Sequence, residues 1–410
     1  MKLLQVDTLE EARSKLRKAA EQVPLRTEEI PISQAFGRIL AQDVCAGEPI
    51  PSFRRSSVDG YAVRSADTAG ATESIPVFLE IVEDVAIGHP ALAPVGPGMC
   101  SYVPTGGMIP EGADAMVMVE YSELFDENHV AINTAVSSGR FVVDVGEDMK
   151  PGELVLPRGT RIGPAQLGAL AAVGADRILV YLPWRVAVIS TGDELVPVDR
   201  VPGPGQVRDI NTWALEGCAA QCGMELVLAR ALEDQEDRLE ETVRQAAETC
   251  DLLLVSGGSS QGKKDVTMEV LDRVSGGGVF THGLALKPGK PTILGCDRAE
   301  GTILAGLPGH PSAALTVFCL LFRWLWRQVT GQPEETPVLA HMETNLASAA
   351  GKATCLPVKL IPEGKALLAR PILGKSGLIT TLSEADGYIL VDMNREGLKK
   401  GEPVWVRRYF

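Results

Sequence analysis

Between Pro183 and about residue 330 the chain alternates short, mostly apolar β runs with stretches of helical apolar spacing, and no other feature restricts its fold as much. The runs fall at 186–190 (VAVIS), 225–231, 252–255 and 302–305. Between them, a helix follows Asp209-Ile-Asn211, another carries Leu239, Val243, Ala246, Ala247 and Cys250 at helical spacing, and a strong one runs from Ser312 to about Val329. A strand that is apolar at every position is buried on both faces, and strands of that kind joined by helices form a parallel, doubly wound sheet. Upstream, residues 8–22 predict an amphipathic helix in which Thr8 caps and Glu11 sits three residues later. Segments 75–85, 100–107, 114–121 and 129–136 read as strands of β-rich modules, followed by a small-residue helical stretch at 165–174 and, after about 331, a return to Pro/Gly-rich β segments. A length of 410 residues is too much for one core, so two to four domains are expected. The fold class is therefore a multidomain α/β protein: a doubly wound α/β domain flanked by β-rich domains.

Charge and cysteine usage narrow the function. A net charge of -14 argues against generic nucleic-acid binding, which needs basic surface. The eight cysteines form no CxxC and do not cluster with the five histidines, so they read as buried thiols rather than a zinc or iron–sulfur site. The N-terminal MKLLQVDTLEEARSKL is charged throughout and has no apolar signal core. The most apolar run, 313–322, is too short to span a bilayer. A cytoplasmic protein with no membrane partner is expected.

An open parallel sheet binds ligands at the carboxyl ends of its strands, beside helix N-termini. Here those ends carry Thr191, Gly192, Asp193 and Glu194; then Ser256, Gly257, Gly258, Ser259, Ser260, Gly262 and Asp265; then Gly306, Pro308, Gly309 and Pro311, with Lys287 and Lys290 in KPGKP just before. Glycines let backbone amides approach a ligand, and hydroxyls and helix-end amides donate to anionic oxygens. Three such loops and two lysines suit a pyrophosphate better than a neutral ligand. Asp193, Glu194, Asp209, Asp234 and Asp265 lie at strand ends or helix starts. Two carboxylates about 4 Å apart repel by roughly 4 kcal/mol at an effective dielectric near 20, so their convergence calls for a raised pKa or a divalent cation, with Mg2+ preferred beside phosphates. Plain helix capping is the alternative for Asp209, Asp234 and Asp265. The polar loop PSFRRSSVDGYAVRSAD at 51–67 holds Asp59-Gly60, which by spacing alone is an ordinary turn.

Taken together, SSVDGYAV, PTGGMIPEGADAMVMVE, VGEDMKPGELVLPRGTRIGPAQLGALAAVG, VAVISTGDELV, SGGSSQGKKDVT, KPGKP and GLPGHP resemble, in order and over nearly the whole chain, the MoeA / gephyrin E-domain family of molybdopterin molybdenumtransferases. The resemblance implies four domains in an elongated homodimer: domain I from 27–46 plus 147–180, which links and dimerises; a β-rich domain II at 47–146; a MogA-like molybdopterin-binding α/β domain III from 1–26 plus 181–330; and a β-barrel-like domain IV at 331–410. It implies an active site completed by the partner subunit, and transient contact with a molybdopterin adenylyltransferase. The implied reaction takes adenylylated molybdopterin and molybdate, releases AMP, and leaves molybdenum on the dithiolene with Mg2+ assisting. By position, the resemblance gives catalytic roles to Asp59, Asp148, Glu194 and Asp265, and metal binding to Glu194, Asp234 and Asp265. Substrate contacts fall to Thr105, Thr191, Gly192, Asp193, Asp234, Ser256, Gly257, Gly258, Ser259, Lys287, Lys290, Pro308, Gly309, His310, Pro311 and Ser376.

The chain departs from the family pattern at LPGHP, where His310 replaces the usual Asn, and at SGGSSQG, where SGGVSVG is usual. Thr281, His282 and Gly283 occupy a stretch in which many members carry a lysine, and Asp209-Ile-Asn211 stands for the usual DSN or DTN. These departures keep open a paralogue that handles tungstate or a modified pterin. Molybdopterin adenylylation and non-catalytic scaffolding are the other readings. The extra domains and the DGYAV loop count against the former. The retained Asp59, Glu194 and Asp265 count against the latter.

Overall fold

A computed structural model describes residues 6–257, 266–348, 350–375 and 377–409. The first helix, α1 (Leu9–Ala20), starts as its sequence dictates: Thr8 Oγ1 accepts the Glu11 N–H at 3.2 Å, and the Thr8 N–H donates to Glu11 Oε2 at 2.8 Å. Its apolar face, Leu9, Ala12, Leu16 and Ala20, joins the largest core of the molecule.

Two β-rich units precede the central sheet. One is assembled from distant segments: Thr27–Pro31 pairs antiparallel with Arg177–Tyr181, Val44–Cys45 pairs with Leu154–Leu156, and α2 (Pro164–Ala172) packs over them through Leu170. Between these segments sits a six-stranded sheet in the order Ala115–Met118, Gly60–Val63, Met99–Val103, Val77–Asp84, His129–Ile132, Ser122–Leu124. Small apolar cores pack on both sides of it, one around Tyr61, Val63 and Leu79, the other around Ala62, Val103 and Met116.

The strands of the central sheet, in chain order, are β1 (Arg185–Thr191), β2 (Glu225–Leu232), β3 (Leu252–Gly257), β4 (Val279–His282), β5 (Ile293–Asp297) and β6 (Thr302–Leu307). Their spatial order is β2-β1-β3-β6-β5-β4. The first four in that order are parallel, as the apolar runs predict. The sheet is nevertheless not parallel throughout: β5 runs antiparallel to β6, and β4 antiparallel to β5. Only residues 298–301 separate β5 from β6, too few for a crossover, so the pair closes as a hairpin. Side-chain alternation explains the unbroken apolar runs. Val186, Val188, Leu252, Leu254, Ile303 and Ala305 enter one core, and Ala187, Ile189, Leu253, Val255 and Leu304 enter the other. Each such aliphatic burial contributes about 1.5–3 kcal/mol for the larger side chains. α3 (Asn211–Gln221), α6 (Pro311–Val317) and α7 (Trp324–Thr330) cover the first face together with α1, while α4 (Glu236–Ala247) and α5 (Val266–Val274) cover the second. The strong helix expected from Ser312 onward is one helical rod, but Phe318–Arg323 is wound as a π-helix between α6 and α7.

At the C-terminus, strands Ala353–Glu363, Ala366–Pro371, Val338–Met342, Pro403–Arg408 and Gly387–Val391 pair in that order, and the last pairs back to the first, closing a barrel around Met342, Val358, Ala369, Val391 and Val406. Leu286–Lys287 adds to it in parallel at Ala353–Thr354. Among the described residues, no helix is long and apolar enough to cross a membrane. All eight cysteines are free; seven are buried and Cys45 is exposed. Burial pushes the thiols of Cys100, Cys222, Cys250 and Cys355 up to about 12.

Candidate active site at the strand ends

The order β2-β1-β3 places consecutive strands on opposite sides of β1, and that is the switch point at which an open α/β sheet leaves a crevice at its carboxyl edge. Strand register brings the glycine-rich ends together there: Thr191 lies opposite Gly257, and Ser256 opposite Leu307. Gly257 has φ +116°, and a Cβ on it would lie 2.0 Å from the Thr191 carbonyl oxygen, so only glycine permits this approach. Asn211, in the first turn of α3, ties the second and third of these ends together. Its Nδ2 donates to Ser256 Oγ at 2.6 Å and to the Gly309 carbonyl at 2.8 Å. The Gly309 carbonyl can only accept, which fixes the amide orientation. Asn211 Oδ1 is buried without a hydrogen-bond partner among the described residues. Asn211 was not among the predicted site residues; its one signal was its place in the Asp209-Ile-Asn211 turn.

The acids gather at the ends of β1 and β2. Thr191 Oγ1 donates to Asp234 Oδ1 at 2.6 Å, and the Asp234 N–H donates to Asp193 Oδ1 at 2.9 Å. Glu194 folds back over Gly192, where a Cβ would lie 2.7 Å from Glu194 Oε2. Asp193, Glu194 and Asp234 face solvent, whereas Asp209 is buried and accepts the Thr212 N–H at 3.2 Å, a helix cap. The donors at this corner are all oxygens, a set that fits a hard cation such as Mg2+. Among the described residues, no group of three His, Cys, Asp or Glu side chains has metal-holding spacing. Gly258, Ser259 and Asp265, the third acid of the expected metal set, lie outside the described residues, as do Ser260, Gly262, Lys263 and Lys264.

The KPGKP loop rests on α6: Gly289 has φ +125°, and a Cβ there would lie 2.8 Å from Val317 Cγ2. Lys287 and Lys290 are exposed at its two ends. Pro308 is buried, Pro311 opens α6 at its first position, and His310 stands at the N-cap with an exposed ring. The barrel reaches this ring, since a Cβ on Gly377 would lie 3.8 Å from His310 Cδ2. Ser376, its neighbour in sequence, lies outside the described residues.

Asp59, Thr105 and Asp148 are elsewhere in the chain's fold. The Thr105 N–H and Oγ1 donate to Asp59 Oδ1 at 2.7 and 3.0 Å, and these bonds hold the exposed Asp59 carboxyl below the usual carboxylate range. A Cβ on Gly60 would lie 1.9 Å from the Val117 carbonyl oxygen, so Asp59 enters a strand that admits only glycine next to it. Asp148 is exposed, its N–H bonded to the Ile50 carbonyl at 3.0 Å. No strand pairing or hydrogen bond among the described residues joins the 47–146 unit to the strand ends. One chain thus brings 191–194, 234, 256–257 and 308–311 together, and no strand pairing or hydrogen bond among the described residues joins Asp59, Thr105 or Asp148 to them.

A doubly wound unit with anion-suited strand ends, set between a split β unit and a β barrel, defines the class: residues 187–328 match the probable molybdopterin binding domain. Residues 7–174 match the MoeA N-terminal region (domain I and II), and 340–408 the MoeA C-terminal region (domain IV). The chain is 31% identical to the molybdopterin molybdenumtransferase of Bacillus subtilis over 93% of its own length and 89% of the relative's. It is 30% identical to that of Haemophilus influenzae over 98% of both chains. The crystal structure of the molybdopterin biosynthesis MoeA protein of Pyrococcus horikosii superposes with a TM-score of 0.80 at 34% identity, covering 99% of this chain and 100% of that one. The chain belongs to the MoeA family of molybdopterin molybdenumtransferases.

Proposed function

We propose that this chain is a molybdopterin molybdenumtransferase of molybdenum cofactor biosynthesis: it takes adenylylated molybdopterin and molybdate, releases AMP, and leaves molybdenum on the dithiolene. The observation that carries this reading is the locking of two glycine-rich strand ends, 256–257 and 308–311, by Asn211 at the switch point of the sheet, beside the Thr191–Asp234 pair. Backbone amides of the 256–257 and 309–310 turns, with Lys287 and Lys290, would grip phosphate and molybdate oxygens as compact donors. Glu194 and Asp234, with Asp265, would hold Mg2+, which neutralises charge on the phosphoanhydride when bound. His310 would contact the substrate from the α6 turn, with the barrel behind it.

The strand-end acids and lysines are open to solvent in one chain. A cytoplasmic homodimer, in which a second copy brings its own Asp59, Thr105 and Asp148 over them, accounts for that openness. Docking of a molybdopterin adenylyltransferase would deliver the adenylylated substrate to the same edge. The test is incubation of the purified protein with adenylylated molybdopterin, molybdate and Mg2+, with tungstate in a parallel reaction. AMP and active cofactor are expected with molybdate, and both should fall at least 100-fold in Glu194→Gln. Absence of AMP with molybdate, while a family member run alongside releases it, defeats the reading; AMP with tungstate alone points to the tungstate paralogue.

A further inference from the structure

A strongly cationic hollow of this acidic protein lies at the C-terminal end of α3. A cavity of about 440 Å³ is lined by Arg161, Arg323, Arg327 and Arg408, with Glu335 as its one acidic lining residue. The four guanidinium groups come from three units: Arg161 from the split β unit, Arg323 and Arg327 from the π-helix and α7, and Arg408 from the barrel. Arg161 caps the far end of α3 by donating to the Gln221 carbonyl at 2.8 Å. Since Asn211 opens that helix and a helix rises about 1.5 Å per residue, the cavity lies about 16 Å from the strand-end site.

Part of this arginine set is structural. Arg323 donates to the carbonyls of Tyr409 and Arg408, pinning the C-terminus, and Arg327 pairs with Glu335 at 2.5 Å. Those contacts use one carboxylate for four positive charges. Four like charges collected from separate segments in one hollow, within a chain of net charge -14, repel one another unless an anion stands among them. Guanidinium forks match phosphoryl oxygens in bidentate fashion, and the volume is that of a small-molecule site rather than of a single trapped ion.

We propose that this cleft is a second anion site, for a small molecule carrying a pyrophosphoryl group, held jointly by the split β unit, the α/β unit and the barrel. Free pyrophosphate and the diphosphate of a nucleotide share this chemistry. The test is calorimetric titration of the full-length protein, in the assembly it adopts in solution, with pyrophosphate and separately with ADP. Arg408→Gln and Arg161→Gln are compared with wild type. Each substitution should weaken the cleft site at least tenfold, which removes one bound anion per chain from the saturable stoichiometry, while Arg408→Lys should keep part of the affinity. Equal affinity for the two probes assigns the free anion as the source, and tighter ADP binding assigns the nucleotide. Thermal melts of the unliganded variants show whether they fold. If folded variants bind as many anions as wild type, with unchanged affinity, or if wild type has no saturable site that they lack, the proposal is wrong. Because the count is a difference, it holds whether or not the strand-end site also takes the probe.

Discussion

At the scale of single residues, the Asp59–Thr105 contact has the most direct consequence for solution behaviour. The two hydrogen bonds from Thr105 favour the ionised carboxylate, so the folded pKa of Asp59 lies below its unfolded value. The associated stabilisation is therefore present above the ordinary carboxylate range and is lost as pH falls through the lowered folded value. In Thr105→Val the backbone N–H bond stays and the hydroxyl bond goes. A carboxyl NMR titration should then show the Asp59 midpoint moving up toward its ordinary value, with the acid limb of any Asp59-dependent activity moving the same way; an unmoved midpoint would show that the hydroxyl does not bear on the charge. Nothing in the local sequence announces this pair. The two residues are 46 positions apart, and Asp59 was legible only through the resemblance of its DGYA loop. Asn211 was harder still, because its role depends on Ser256 and Gly309, which reach it only through the register of the sheet.

At the scale of elements, legibility followed the strength of local physics. The α1 start was readable because Thr8 and Glu11 are sufficient to define a capping box, and both of its hydrogen bonds form. Thr8→Ala should cost about 1 kcal/mol, measured as a lowered urea midpoint at unchanged m-value. A null result would mean that packing of Leu9 and Leu16 alone holds the helix in place. Three of the parallel strands were readable because burial on both faces leaves their interiors almost wholly apolar, whereas the edge strand β2 keeps Glu225 and Arg230 on its exposed side. The β4–β5 edge was not, because hairpin strands carry a weaker pattern and 293–297 reads equally well as a continuation of its loop. The π-helical turn at Phe318–Arg323 left no mark in the apolar spacing, since every one of its first five residues is buried whatever the winding.

At the scale of the whole molecule, the separation of Asp59 from the strand ends turns the proposed two-fold assembly into a quantitative expectation. In a symmetric dimer with shared sites, each site takes its strand ends from one chain and its Asp59 from the other. A chain carrying Asp59→Asn and a chain carrying Glu194→Gln should each be inactive as homodimers. In a mixed dimer of the two, one site receives both substituted residues and the other receives neither. Random exchange of subunits makes half of the dimers mixed, so about one quarter of the wild-type sites should be restored. AMP release from adenylylated molybdopterin, measured before and after the two inactive proteins are denatured and refolded together, reads that fraction. Recovery near one quarter fits sites built between chains. If each chain instead folded its own 47–146 unit back over its own strand ends, every site in the mixture would still carry one substitution, and activity would stay at the level of the inactive parents however completely the subunits exchanged.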